Sequence, residues 1–218
     1  MSEIAADLVL DAALMRRWMA RLTRTIEAGC DELTRLDAAI GDADHGINML
    51  RGMRAVMAGL DGDGHEDSPA AVLGLAGARL ITVVGGAAGP IYGTAFRAMS
   101  EVLERQPLGI DGVAEMANAG LAAIQRLGAA EPGDKTIVDA WLPAVEALRS
   151  TVGSVPLSTL EKAEQAARRG MLDTIPLRAR KGRASYLGWR SEGHQDPGAT
   201  STHMVFASLA AAADTTTD

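Results

Sequence analysis

LVLDAALMRRWMARLTRTIEAGC, residues 8–30, sets Leu8, Ala12, Leu14, Trp18, Leu22 and Ile26 at the spacing of one face of an α-helix. That period predicts a helix over 4–30 and recurs along the chain. It predicts further helices over 47–60, 68–84, 90–105 and 111–127. A sixth carries Ile137, Trp141, Val145 and Leu148, and two more cover 158–171 and 199–212. Ser68 and Pro69 read as an N-cap and first helical residue, and Ser158 with Glu161 has the spacing of a capping box. Pro143 is expected to kink the sixth helix. DGDGHED (61–67) reads as a polar turn and TTTD (215–218) as a frayed tail. Eight helices of similar length with short connections predict an all-α fold. The expected architecture is an eight-helix antiparallel up-and-down barrel or bundle, with residues 1–218 forming one domain.

Composition agrees. Apolar residues make up 47% of the chain but aromatics only 3%, so alanine, leucine and methionine carry the apolar content, and these favour helix over strand. A net charge of -7, spread along the chain, argues against a general nucleic-acid binder, which needs a basic face. The lone cysteine, Cys30, has no intramolecular disulfide partner and falls in a predicted helix, so it reads as a packed thiol. The N-terminus lacks the basic start and unbroken apolar core of a secretory signal. No apolar run approaches the roughly 20 residues that span a bilayer. These features predict a cytoplasmic protein with neither nucleic acid nor membrane as partner.

The segments that interrupt the helical pattern carry the chemistry. They lie around 37–48, 85–93, 128–136 and 180–200, and in an up-and-down array alternate loops share one end. The first reads LDAAIGDADHGINM (36–49). Asp42 and Asp44 are two residues apart, so on a helix they would point about 200° away from each other. A loop turning at Gly41 and Gly46 instead lets Asp37, Asp42 and Asp44 converge. Three close carboxylates repel unless a cation compensates them, and an all-oxygen donor set favours magnesium or calcium over zinc. The spacing does not fit an EF-hand loop. INMLRGM then opens a helix whose free N–H groups attract anions, and metal ions would bridge such an end to phosphates. His45 reads either as a hydrogen-bonding wall residue or as a nucleophile or phosphate carrier, and Asn48 lies one turn along.

The second segment, VVGGAAGPIYGTA (83–95), offers unobstructed backbone amides but lacks the G-K-[ST] of a P-loop. Its glycines fit a phosphate cradle or close helix packing equally well. The late segment holds the one dense basic cluster, Arg180, Lys181 and Arg183, followed by HQDPGATS (194–201), a turn into a helix N-terminus.

Taken together, LDAAIGDADHGINMLRGM (36–53), VVGGAAGPIYGTAFRA (83–98), AEPGDKTIVDAWLPAVEAL (130–148) and ARKGRASYLGWRSEGHQDPGATS (179–201) resemble the DhaL family, the nucleotide-binding subunit of bacterial dihydroxyacetone kinases. The stretches fall in order over nearly the whole chain. The resemblance implies an eight-helix barrel binding ADP at one end through two magnesium ions. It places metal ligands at Asp37, Asp42 and Asp44, and nucleotide contacts at His45, Gly46, Ile47, Asn48, Gly86, Ala87, Ala88, Gly128, Ile137 and Arg183. Asp196, Pro197 and Gly198 would close over the nucleoside. Two positions depart from the family pattern: Ala88 stands where a serine hydroxyl is expected, and Ile137 where methionine is usual.

The family mechanism keeps ADP as a resident cofactor, phosphorylated in place by a phosphotransferase-system carrier (DhaM) and relaying the group to dihydroxyacetone on DhaK. The resemblance therefore implies DhaK-like and DhaM-like partners in a heteromeric complex or a homodimer. Related domains use exchangeable ATP and phosphorylate dihydroxyacetone or a tetrose such as erythrulose. Others sense nucleotide state for a transcription regulator. The chain length and the GDADHG wording resemble the phosphotransferase-dependent branch.

Overall fold

The computed structural model describes residues 8–62, 68–105, 109–150 and 156–214. The expected helix start at residue 4, most of the DGDGHED turn and the TTTD tail lie outside them. Within the described residues every regular element is helical. They are α1 (Ala12–Ala28), α2 (Cys30–Ile40), α3 (His45–Leu60), α4 (Pro69–Val83), α5 (Ala88–Leu103), α6 (Ile110–Gly128), α7 (Val138–Ser150), α8 (Pro156–Asp173), a 3-10 segment (Arg183–Ser191) and α9 (Pro197–Ala213). From α2 onward each α-helix packs on the next, and α1 closes the array against α9, α3 and α4. None of these helices is long and apolar enough to cross a membrane.

The expected first helix is α1 alone, and α2 is an additional helix in a stretch expected to interrupt the pattern, so the described residues hold nine α-helices where eight were expected. Asp11 accepts the Leu14 N–H at 2.7 Å and starts α1 eight residues later than periodicity indicated. Gly29 (φ -96°, ψ 5°) then breaks the axis, and α2 runs on to Ile40. Leu33, Leu36 and Ile40 are its buried face, a helical spacing that the surrounding acids disguise. Asp37 therefore sits in the last turn of a helix rather than in a loop. Ser68 caps α4 through the Ala71 N–H at 3.1 Å, with Pro69 following as expected. Ser158, read as a cap, lies inside α8, which already includes Pro156.

Pro143 is accommodated within α7. Having no N–H, it leaves the Asp139 carbonyl without its helical donor, and Gly170 of α8 approaches there; a Cβ on Gly170 would stand 2.1 Å from that oxygen. The scarce aromatics concentrate inside. Trp18 lies 5.6 Å from Phe96, and Trp141 meets Phe206 edge-on at 5.4 Å between centroids. Both indole N–H groups are satisfied, Trp18 donating to Val205 O (3.0 Å) and Trp141 to Ala117 O (2.9 Å). This rigid interior fixes the helix ends that carry the polar loops.

Candidate functional site

At one end of the array the α2–α3, α4–α5, α6–α7 and α8–α9 connections surround a cavity of about 350 Å³. These are the four segments expected to share an end.

The α2–α3 turn is built from its own backbone. Gly41 donates its N–H to Asp37 O, and a Cβ at Gly41 would lie 2.0 Å from Asp37 Oδ1. Only glycine fits beside that carboxylate. Asp37 Oδ2 accepts the N–H groups of Asp44 (2.9 Å) and His45 (3.2 Å), so this buried side chain caps α3 from across the turn. Asp44, at the N-cap position, makes no side-chain cap bond of its own. Between Asp42 and Asp44, Ala43 takes a left-handed φ of 62°. The outcome is a convergence: one carboxylate oxygen from each of Asp37, Asp42 and Asp44 lies within 4.8 Å of the others. Arg183 reaches in from the 3-10 segment to Asp42 at 3.0 Å.

One guanidinium does not balance three carboxylates. Asp37 keeps Oδ1 clear of the capping bonds, and the all-oxygen donor set suits a hard divalent cation, magnesium above all. The residues fit the metal.

His45 lies behind this cluster. Its Nε2 is 2.8 Å from Ser201 Oγ, which is 2.7 Å from the hydroxyl of buried Tyr92. Tyr92 also reaches Thr202 Oγ1 (3.0 Å) and the Gly198 carbonyl (3.2 Å). Burial pushes the His45 imidazole below its ordinary range, outweighing the upward pull of Asp37 and Asp44, so the ring is neutral at neutral pH. Burial likewise holds the Tyr92 phenol protonated. Tied to this network, His45 has its Nε2 engaged by Ser201 Oγ at the cavity wall.

The α4–α5 turn presents Gly85, Gly86, Ala87 and Ala88 to the cavity. Gly86 has φ +66° and open space where a Cβ would project. No side chain caps the N-terminus of α5, whose first N–H groups are therefore available to an anion. Opposite, Ile91, Ile124 and Ile137 make an apolar slot with Gly128, Pro197 and Gly198. Asp196 caps α9 by accepting the Ala199 N–H at 2.7 Å. Burial pushes its carboxyl up to about 7, although that N–H and the nearby Lys135 charge pull downward.

Of the expected site residues, the cavity lining includes Asp37, Asp42, Asp44, His45, Asn48, Gly86, Ala87, Ala88, Gly128, Ile137, Arg183, Asp196, Pro197 and Gly198. Gly46 and Ile47 are outside it. Gly46 is packed on α2, where a Cβ would come 2.1 Å from the Cys30 carbonyl oxygen, and the Ile47 side chain is exposed. In the basic cluster Lys181 and Arg183 face the cavity, whereas Arg180 does not. Sequence reasoning missed Tyr92, Lys135 and Thr136. The signal for the last two was the D-K-T-x-x-D spacing: Asp139 Oδ2 accepts the Thr136 N–H (2.7 Å) and its Oδ1 the Gly133 N–H, which folds the loop.

A family description, the DAK2 domain, matches residues 39–211. The chain is 44% identical over 200 residues to the ADP-binding subunit DhaL of the PEP-dependent dihydroxyacetone kinase of Escherichia coli K12, covering 90% of this chain and 94% of that protein. It is 41% identical to the DhaL subunit of a second such kinase from Listeria innocua, over 92% and 94% of the two chains. With the L-erythrulose 1-kinase of Mycolicibacterium smegmatis it shares 38% identity over 82% of its length but only 32% of that protein. The crystal structure of the Citrobacter freundii dihydroxyacetone kinase with AMP-PNP and Mg2+ superposes with a TM-score of 0.70 at 27% identity. It matches 97% of this chain, which spans about a third (36%) of that kinase.

Proposed function

The chain belongs to the DAK2-domain family, among the DhaL subunits, and we propose that it is the ADP-binding subunit of a phosphoenolpyruvate-dependent dihydroxyacetone kinase. The observation that carries this reading is the placement of three convergent carboxylates beside the N-terminus of α3, which the Asp37 side chain caps, and the uncapped N-terminus of α5, at the mouth of an apolar slot. Metal, phosphate and base each find suitable chemistry in one cavity.

Asp37, Asp42 and Asp44 would hold two magnesium ions, and a magnesium-bound ADP would supply the phosphoryl-carrying chemistry. The rest of the site positions and neutralises, which is most of what phosphoryl transfer requires. Backbone N–H groups of Gly86, Ala87 and Ala88 face the phosphates. Gly46 and Ile47 contribute through the first turn of α3, and Asn48 lies beside them. Ala88 has no hydroxyl, so its contribution is its N–H alone. Ile137, Gly128 and Pro197 would flank the base, and Arg183 would offset negative charge on the phosphates. No side chain here is placed as a general base, so the ketose and its deprotonation belong to a DhaK-like partner. A DhaM-like phosphocarrier would deliver the group, and the complex would work in the cytoplasm.

The 38% identity to an L-erythrulose kinase supports a second reading, an ATP-exchanging kinase domain for dihydroxyacetone or a tetrose. The higher identity to the DhaL subunits favours the first. A nucleotide-dependent contact with a transcription regulator would be an additional role. Mass analysis of nucleotide in freshly purified protein, followed by turnover driven by phosphoenolpyruvate or by ATP, separates the two. Resident ADP with phosphoenolpyruvate-driven turnover is expected. Rapid nucleotide loss with turnover on ATP alone would establish the rival.

A further inference from the structure

Lys135 is the least expected residue of the site region. It is 1% exposed, and its backbone takes a left-handed φ of 63°, a conformation unfavourable for a non-glycine residue. Its Nζ donates to Thr174 O (2.7 Å), Leu177 O (3.1 Å) and His194 O, with a longer contact to Ile175 O (3.4 Å). Thr174 and Ile175 follow directly on the C-terminus of α8, where carbonyl oxygens lack helical donors and the helix dipole favours a cation.

These acceptors lie at both ends of one excursion of the chain. The segment leaves α8 at 174, crosses the cavity mouth with Lys181, Gly182, Arg183 and Ala184, and returns at 194 into the Asp196 turn. The segment has other fastenings: Arg183 pairs with Asp42 at 3.0 Å, and Ala179 and Ala184 pack against Ile40 of α2. Arg180 N–H meets Asp134 O at 3.0 Å, Gly193 N–H meets Ile175 O at 2.8 Å, and Asp196 N–H meets Thr174 Oγ1 at 3.0 Å. Among the described residues, the Lys135 ammonium joins the outgoing run, the returning run and the α6–α7 loop at a single point. It does so next to Thr136 and Ile137, which line the cavity from the other side.

We propose that Lys135 is a positioning residue that latches the 174–198 segment over the cavity and so sets how long nucleotide stays bound. The inference rests on the nucleotide-site reading above. It assigns retention to a buried cation that touches neither metal ligand nor phosphate. Removing the ammonium takes this donor from the Leu177 and His194 carbonyls and leaves those of Thr174 and Ile175 only the Leu177 and Gly193 N–H groups, which loosens both ends of the segment, so Arg183 and the Asp196 turn lose their fixed positions together.

The test is the dissociation rate of a fluorescent ADP analogue, with magnesium, from wild type and Lys135→Met. Val113→Ala, a cavity in the core of α6, serves as a control for lowered melting temperature alone. Release is expected to accelerate at least tenfold in Lys135→Met and less than twofold in Val113→Ala. Amide exchange should rise in peptides covering 174–196 and stay unchanged in α4 and α5. Should Lys135→Met fail to fold, Lys135→Arg keeps the charge but spreads its donors in a planar fork, and at least threefold faster release is expected. Release within twofold of wild type in whichever lysine variant folds would overturn the latch. Wild-type protein that binds no magnesium–ADP would instead overturn the nucleotide reading, which distinguishes the two failures.

Discussion

Gly46→Ala should move the proposed metal site without altering any of its three carboxylates. The added Cβ would lie 2.1 Å from Cys30 O, 2.5 Å from Thr34 Oγ1 and 3.0 Å from Cys30 C. The nearest of these atoms is helix backbone, which cannot rotate away. Reaching an ordinary contact requires α2 and α3 to separate by about 1.3 Å. The same separation would stretch the bonds from Asp37 Oδ2 to the Asp44 and His45 N–H groups, now 2.9 and 3.2 Å, beyond hydrogen-bonding range. Bonds to a charged acceptor contribute about 1.5–3 kcal/mol each, and overpacking adds about 1–3 kcal/mol. Partial relaxation brings the expected loss to about 3–5 kcal/mol, together with at least a tenfold loss of magnesium affinity because Asp37 leaves its partners. Urea unfolding and calorimetric titration of magnesium with ADP measure the two effects. A variant that loses under 1 kcal/mol and keeps wild-type magnesium affinity would refute the reasoning, because it would mean that α2 and α3 are not held at contact distance.

Arg183→Gln should behave oppositely. Its pair with Asp42 is largely solvent-exposed, so stability should change by less than about 1 kcal/mol, while turnover in the assembled kinase should fall about a hundredfold. An unfolding curve shifted more than the turnover would contradict that assignment. Asp196 makes stability depend on pH. With its folded carboxyl raised to about 7, the native chain retains a proton that the unfolded chain has lost. Stability should therefore fall as pH rises from about 4 to about 7, and Asp196→Asn, which keeps the cap, should flatten that slope. Equal slopes in thermal melts of the two proteins would exclude Asp196 as the source.

Most of the helical array was readable from the 3.6-residue period, since tertiary burial selected the same faces that periodicity marks. What escaped was local. Leu33, Leu36 and Ile40 keep α2 helical although Asp31, Glu32 and Asp37 stand among them, so Asp37 is on a helix although the segment around 37–48 reads as a loop. Ser158 matched a capping box but is preceded by Pro156, which already lies in α8. Four loops were expected to share one end, and they do, because consecutive helices pack as neighbours. Gly46 was legible as a site residue only through family resemblance; the coordinates show it packed against α2. Lys135 was overlooked, although the D-K-T-x-x-D spacing marks its loop, because a lysine in a polar loop ordinarily faces water. Its burial depends on carbonyls from residues 174–177 and 194, far along the chain.

The central claim, that Asp37, Asp42 and Asp44 hold the metal of a bound nucleotide, is most directly tested with Asp42→Ala. Calorimetric titration with magnesium and ADP, alongside circular dichroism, reads binding and fold separately. Removing one of three mutually repelling carboxylates should leave helical content and metal-free melting temperature at or above wild type, while affinity for magnesium–ADP falls at least a hundredfold. Full nucleotide occupancy in a folded Asp42→Ala protein would contradict the account.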